Sequence, residues 1–294
     1  MPQKKAYLHP YLHELISQRS AWTQPTPRKE PYTYRMLATQ ARFLAQSASS
    51  PASLFLTKEY VVWDWLRLGV FTGSRLSEYG QSNLKRGQKF QIVPSSDDTC
   101  IWANQPLAFM RSDFTFYDAR DCLIPHDDLF RRHGKKQVTM VHIRFRYDKS
   151  AENFSTRKFP VSTDSILNPV DATISILHRA ELLGIPPHEP IGVYGGKLGY
   201  YFLRDSHVRD ILRLICIRTY PDPTHYLRVH IQQLVPHSNR VTAAVCLQMG
   251  GATIPDIAFR LRWHIASVPT YLRECFQEVG PIMEQAIMGA FKTS

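Results

Sequence analysis

Two pairs of residues, each spaced three apart, are the features of this sequence best suited to chemistry. In "FTGSRLSEYG", Arg75 and Glu78 share one face of a helical turn, so that the carboxylate can orient the guanidinium. In "PHSNRVTAAVCLQMGG", His237 and Arg240 place an imidazole and a guanidinium on the first turn of a helix whose other positions are almost entirely apolar. A helix N-terminus adds its own positive field, which suits such donors to a bound anion. Taken alone, the first pair reads as an ordinary surface ion pair, and the second more often as a core-edge histidine beside a solvated arginine.

Composition narrows the chemistry. The 294 residues carry 36 Lys and Arg against 25 Asp and Glu, a formal charge of +11 that holds a polyanion close, with nucleic acid as the first partner to consider. The length allows one large domain or two small ones. The five cysteines, Cys100, Cys122, Cys216, Cys246 and Cys275, are scattered and never form a C-x-x-C pair, which fits a reduced compartment. The most apolar stretch, from Tyr60 to Phe71, contains Asp64 and Arg67 and is too short to span a bilayer. The first residues are basic but lack the apolar run of a signal peptide. The expectation is a soluble intracellular protein without a membrane partner.

Several chemistries find no anchor. "GVYGGKLG" lacks the Gly-x4-Gly-Lys-Ser/Thr spacing of a phosphate loop, with Leu198 where a hydroxyl should stand, and reads as a glycine-rich turn. There is no H-E-x-x-H and no G-x-S-x-G. His9 and His13 stand one helical turn apart, but no further zinc ligands lie nearby. No metal and no cofactor is expected.

The elements that must position the basic pairs are mostly helices. Residues 1–30 end in "SAWTQPTPRKEPYT" and read as a linker with a short helical remnant before it. Thr33 is a plausible N-cap for a helix reaching "SASSPAS", and a second helix runs from Thr57 to about Val70. A polar surface loop follows through "SNLKRGQKFQIVPSSDDT". "LAFMRSDFTFYD", "QVTMVHIRFRYDK" and "NFSTRKFPVS" are rich in aromatic and β-branched residues and predict three antiparallel strands, the last two joined by the turn "KSAEN". Helical signals then return: a helix after Asn168, one capped by Asp205, one opened by Pro236 and His237, "IPDIAFRLRW", and a last segment, "GPIMEQAIMGAF". The expected fold is α+β, mainly α-helical with a small three-stranded antiparallel sheet.

The order of these features along the chain carries more than any one of them. An Arg-x-x-Glu follows a glycine turn, a lysine sits beside a β-hairpin, a His-x-x-Arg opens an apolar helix, and a tryptophan and a tyrosine come near the C-terminus. In this the chain resembles the catalytic domain of the tyrosine recombinases, the phage-integrase and Cre recombinase family. "TGSRLSE" is similar to that family's first box, and "HSNRVTAAVCLQMGGATIPDIAFRLRWHIASVPTYLRE" is similar to its later ones. The resemblance runs from about Arg28 to Tyr271. It implies that residues 1–30 are a linker and the remnant of an N-terminal core-binding region, with a catalytic domain over residues 31–278 and a C-terminal helix over residues 279–294 that docks on a neighbouring protomer or packs on its own domain.

The resemblance further implies a role for each residue. Tyr271 would attack a scissile phosphate of double-stranded DNA and form a 3′-phosphotyrosine link. Arg75, Arg240 and His237 would surround the non-bridging oxygens, Trp263 would donate its indole N–H, Lys149 would protonate the departing 5′ oxygen, and Glu78 would orient Arg75. The partners implied are duplex DNA and further copies of the chain, as a tetramer on DNA, in the nucleus if the host is a eukaryote. The physics agrees with these assignments. Guanidiniums placed where charge accumulates each contribute about 3 to 4 kcal/mol in comparable sites, and a phenol yields a phosphoester of similar energy, so that the step is reversible.

The sequence departs from the family pattern at four points. Trp263 and Tyr271 are eight apart rather than nine, His264 competes with Trp263 for the third box, Arg262 stands in place of the usual glycine, and Lys158 competes with Lys149. "LRW" followed by "YLR" is similar to recombinases of eukaryotic mobile elements of the DIRS-like and Crypton-like kinds. An inactive DNA-binding relative and a relaxing enzyme of the type IB topoisomerase kind are the alternatives to a recombinase.

Overall fold

The computed structural model describes residues 29–47, 54–81, 84, 87–92, 105–131, 137–146, 155–269 and 271–272. Lys149, the remnant and most of the linker before residue 29, and the C-terminal helix expected at 279–294 lie outside them.

Helix α1 spans Tyr34–Gln46 and α2 spans Lys58–Thr72. Both begin where a threonine accepts a hydrogen bond from the first turn, Thr33 from the Met36 amide and Thr57 from the Tyr60 amide. Helix α2 is the axis of the fold, buried at eleven of its fifteen positions. It ends at Gly73, whose left-handed backbone (φ 55°) turns the chain into α3, Leu76–Tyr79. Downstream lie α4 (His126–Leu129), α5 (Pro169–Leu182), α6 (Asp205–Thr219), α7 (Tyr226–Val229), α8 (Ser238–Met249) and α9 (Ile254–Leu261).

The sheet differs from expectation in two ways. Strands β1 (Phe114–Tyr117), β2 (Leu123–Ile124), β3 (Met140–Phe145) and β4 (Ser155–Pro160) form one antiparallel sheet of four strands, not three, in the order β2-β1-β3-β4. The added strand has two residues, too few to show alternation in the sequence. The glycine-rich "GVYGGKLGYYF" forms a separate hairpin, β5 (Val193–Gly196) with β6 (Gly199–Phe202). In β3 alternate residues are buried, so that Val141, Ile143 and Phe145 meet the core. Two helix starts also shift. Arg204 rather than Asp205 is the N-cap of α6, and His237 is the N-cap of α8, one residue before the first turn.

Three features fix the elements around the site. A buried ion cluster ties α2 to α5, with Asp64 accepting from Arg67 Nη2 at 2.7 Å, Arg179 Nη2 at 2.5 Å and Ser175 Oγ at 2.7 Å. Gly69 lets α8 close on α2, since a Cβ there would stand 2.3 Å from Asn239 Oδ1. Helix α9 lies against β4 through reciprocal cation–π contacts, Arg157 over Phe259 at 4.2 Å and Arg260 over Phe159 at 4.6 Å.

The chain segment before α1 is held as firmly as the helices. The Tyr32 hydroxyl contacts Leu66 O and Asn239 Oδ1, each at 2.6 Å, and the Tyr32 amide donates to Thr242 Oγ1 at 3.0 Å. Glu30 is buried as well, so the end of the segment read as a linker belongs to the folded body.

Candidate anion site at the start of helix α8

The turn after α2 delivers the first pair. Arg75 caps α3; its backbone amide donates to Glu78 Oε2 at 2.9 Å and its Nη1 to Glu78 Oε1 at 3.4 Å. Glu78 is buried, so its charge needs partners. The second comes from 184 positions away. Arg262 Nη2 donates to both carboxylate oxygens of Glu78 at 3.0 Å, and its Nη1 donates to Thr72 O at 3.4 Å. The guanidinium lies 3.4 Å from the centre of the Phe145 ring at the end of β3. Sequence reasoning gave Arg262 no role beyond replacing a glycine, although its backbone keeps the left-handed conformation that glycine favours (φ 57°).

Helix α8 delivers the second pair. Arg240 is buried, donates through Nη1 to Gly73 O at 3.1 Å, and faces the Trp263 ring at 4.6 Å. Its pKa is pushed down to about 9, by burial first, then by Arg75, with Glu78 opposing and Arg262 adding to the depression. His237 is held neutral at pH 7, its pKa lowered to about 4 by burial and by the charges of Arg240, Lys29 and Arg75. Lys29, just before α1, is a contributor to this field that no sequence motif marks. Around one carboxylate, Glu78, the site therefore gathers Arg75, Arg240 and Arg262, and Lys29 adds its charge on the His237 side.

The last segment closes the site. After α9 the chain turns at Arg262, and Trp263 packs into a small apolar cluster with Ala243, Leu261, Val268 and Leu272. Tyr271 lies on that cluster, its ring 4.3 Å from Trp263 and 5.4 Å from His237, tilted by 35° and 33°. The Trp263 Nε1–H is buried and has no hydrogen-bond partner among the described residues, an unmet donor that costs free energy until an acceptor arrives. Of the two third-box candidates, Trp263 joins the cluster and His264 is exposed to solvent.

Thus Arg75, Glu78, His237, Arg240, Trp263 and Tyr271 come together, although 196 positions separate the first from the last. Lys158 does not reach this group by any contact described; it lies exposed on β4 opposite His142. Surplus positive charge, a neutral imidazole, an unmet indole donor and a phenol on one surface suit a monoanion with several acceptor oxygens. No group of three or more His, Cys, Asp and Glu able to hold a metal occurs among the described residues, and no helix among them is long and apolar enough to cross a membrane. Neither a scan against protein-family models nor a search of curated proteins finds a match to the chain.

Proposed function

We propose that the chain breaks and rejoins DNA as a tyrosine-type site-specific recombinase or integrase, with the scissile phosphate bound where Arg75, His237, Arg240 and Trp263 meet. The observation that carries this reading is the convergence of Tyr271 with those four donors, which come from three separate places in the chain: Arg75 from the start of α3, His237 and Arg240 from the start of α8, and Trp263 from the turn after α9. It is also the arrangement that the resemblance to tyrosine recombinases implied.

In the cleavage step the Tyr271 oxygen attacks phosphorus, the bond to the 5′ oxygen breaks, and a 3′-phosphotyrosine forms. The phenolic proton passes to the neutral imidazole of His237, whose ring lies 5.4 Å from that of Tyr271 and whose basicity, depressed by burial and by the cations around it, is raised by the bound phosphate. Lys149 supplies the proton that the leaving 5′ oxygen takes up. As negative charge shifts onto the non-bridging oxygens, Arg75 and Arg240 hold it, and the Trp263 N–H gains its acceptor. Glu78 and Arg262 touch no reacting atom; they fix the aim of Arg75. Attack by a free 5′ hydroxyl on the phosphotyrosine reverses the step, so that strands are exchanged with no external energy source. A tetramer on DNA, with two chains acting on each duplex, supplies the partner strands.

A nicked duplex that loses its 5′ fragment after cleavage traps the intermediate. The expected result is a covalent protein–DNA adduct formed equally in EDTA and absent from Tyr271→Phe. Salt-sensitive binding without adduct on any nicked duplex would leave a DNA-binding relative, and relaxation of supercoils without site preference would favour the topoisomerase kind.

A further inference from the structure

We propose that the β5–β6 hairpin and the cavity at its foot hold an unpaired nucleobase with its phosphate, a second nucleic-acid contact beside the Arg75 end of the site. The inference rests on the DNA reading above and names a further part of the same substrate.

The hairpin is rooted in the segment that Arg75 begins. At Gly192 a Cβ would stand 1.6 Å from Tyr79 O, so the hairpin's backbone presses directly on α3, and the Gln81 amide donates to Leu203 O at 2.6 Å. Helix α3 has four residues and is about 6 Å long. A ligand at Gln81 therefore lies within a few nucleotides of a phosphate held at Arg75. From this root the strands run out to Lys197 and Leu198, the latter 94% exposed.

At the foot is a cavity of about 330 Å³ whose walls include Gln81, Lys89, Tyr194, Tyr201, Arg204 and His207. Tyr201 lies across Gly196, where a Cβ would stand 1.9 Å from its ring, and is tilted against Tyr194 at 5.7 Å. It remains 47% exposed, a flat ring held in place with area left to cover. Such a ring is a stacking platform for a base of any sequence.

The charges around the ring are cationic. The Lys89 and Arg204 side chains are exposed, and Lys197 is at the tip. His207 Nδ1 accepts from the Arg204 amide at 3.3 Å, which places its ring proton on Nε2 as a donor. The acids nearby are engaged. Glu189 is buried beneath Lys89 and Tyr200, each 2.7 Å away, and Asp205 pairs with Arg209; Asp210 faces His207. A flat aromatic group bearing a phosphate matches this combination. Bases within a duplex are stacked and cannot reach the ring, so the occupant is an unpaired nucleotide such as strand exchange exposes.

The test uses the full chain and a 20-nucleotide single strand carrying 2-aminopurine, with the same strand in duplex form as the comparison. Tyr201→Ala is expected to weaken single-strand binding about tenfold and to abolish the fluorescence quenching that stacking causes. Tyr201→Phe is expected to retain both. Arg204→Glu is expected to weaken binding and to reduce the salt dependence by about one ion. Tyr201→Leu, which still covers Gly196, controls for any loss of the hairpin and is expected to behave as Tyr201→Ala. Single-strand affinity within twofold of the original in Tyr201→Ala, or a loss in Arg204→Glu alone, would overturn the proposal. Tyr271→Phe separates the two readings. It abolishes the adduct if the strand-transfer reading holds, and it keeps single-strand binding if the hairpin contact holds.

Discussion

Arg262 gives the sharpest test of how the site is held together. Replacing it with alanine removes a donor that touches both oxygens of buried Glu78 at 3.0 Å, a contact to Thr72 O, and a guanidinium stacked on Phe145. Breaking one side of a buried ion pair costs about 3–5 kcal/mol. Because Arg75 still reaches Glu78 through its amide and Nη1, the lower half of that range applies. Glycine at the same position loses the same contacts but relieves the left-handed backbone, which costs a residue with a side chain about 1–2 kcal/mol. Arg262→Gly is therefore expected to be more stable than Arg262→Ala by about 1 kcal/mol, with lysine above both because it keeps a charge near Glu78. Equilibrium unfolding in urea, read from the midpoints at constant slope, measures the order. If alanine costs less than about 1 kcal/mol, the buried pair carries nothing. If glycine is no more stable than alanine, the backbone conformation is not what the position selects for.

Other consequences concern titration and donors. His237 titrates near 6.5 when unfolded but near 4 when folded, so its neutral form contributes stability that is complete above about pH 6.5 and is lost as pH falls toward 4. The loss is up to about 3 kcal/mol and should disappear in His237→Phe, as urea midpoints across that range would reveal. An anion in the site raises the same pKa, so phosphodiester binding below about pH 6 should take up a proton, visible as a buffer-dependent binding enthalpy that His237→Phe lacks. Trp263→Phe removes the buried N–H that lacks a partner and keeps most of the packing. Adduct formation should slow by about a hundredfold while stability shifts by under about 1 kcal/mol; an unchanged rate would mean that the indole serves only the apolar cluster. Glu78→Gln removes the carboxylate charge that Arg75 and Arg262 share and that acts on Arg240. It should lower stability by about 3 kcal/mol, and phosphate at millimolar concentration should restore part of that, as measured by thermal unfolding.

What the sequence made legible was local. Thr33, Thr57 and Asn168 cap their helices as their types and neighbours predict, because a cap is decided within three residues. The pairs Arg75–Glu78 and His237–Arg240 could be singled out for the same reason. Contacts that depend on distant chain could not be. Arg262 looked like a departure from a glycine because its partner Glu78 lies 184 positions earlier. Strand β2 is too short to show a period, and the β5–β6 hairpin was hidden by glycines that weaken the alternation of a strand. The choice between Trp263 and His264 needed the left-handed turn at Arg262, which sends one ring inward and the other to solvent.

The anchoring of Tyr32 has a mechanical meaning. Its hydroxyl and amide fasten the entering chain to Asn239 and Thr242, on either side of Arg240 along α8, while Lys29, three residues earlier, adds to the field that keeps His237 neutral. Residues 29–32 thus act as a tether with two functions, restraining the helix that carries the anion donors and setting part of their charge balance. A force applied to the chain ahead of Tyr32 is delivered to α8 rather than absorbed by slack, and withdrawing that segment would release this restraint on the donors and remove one of the charges that hold the His237 pKa down.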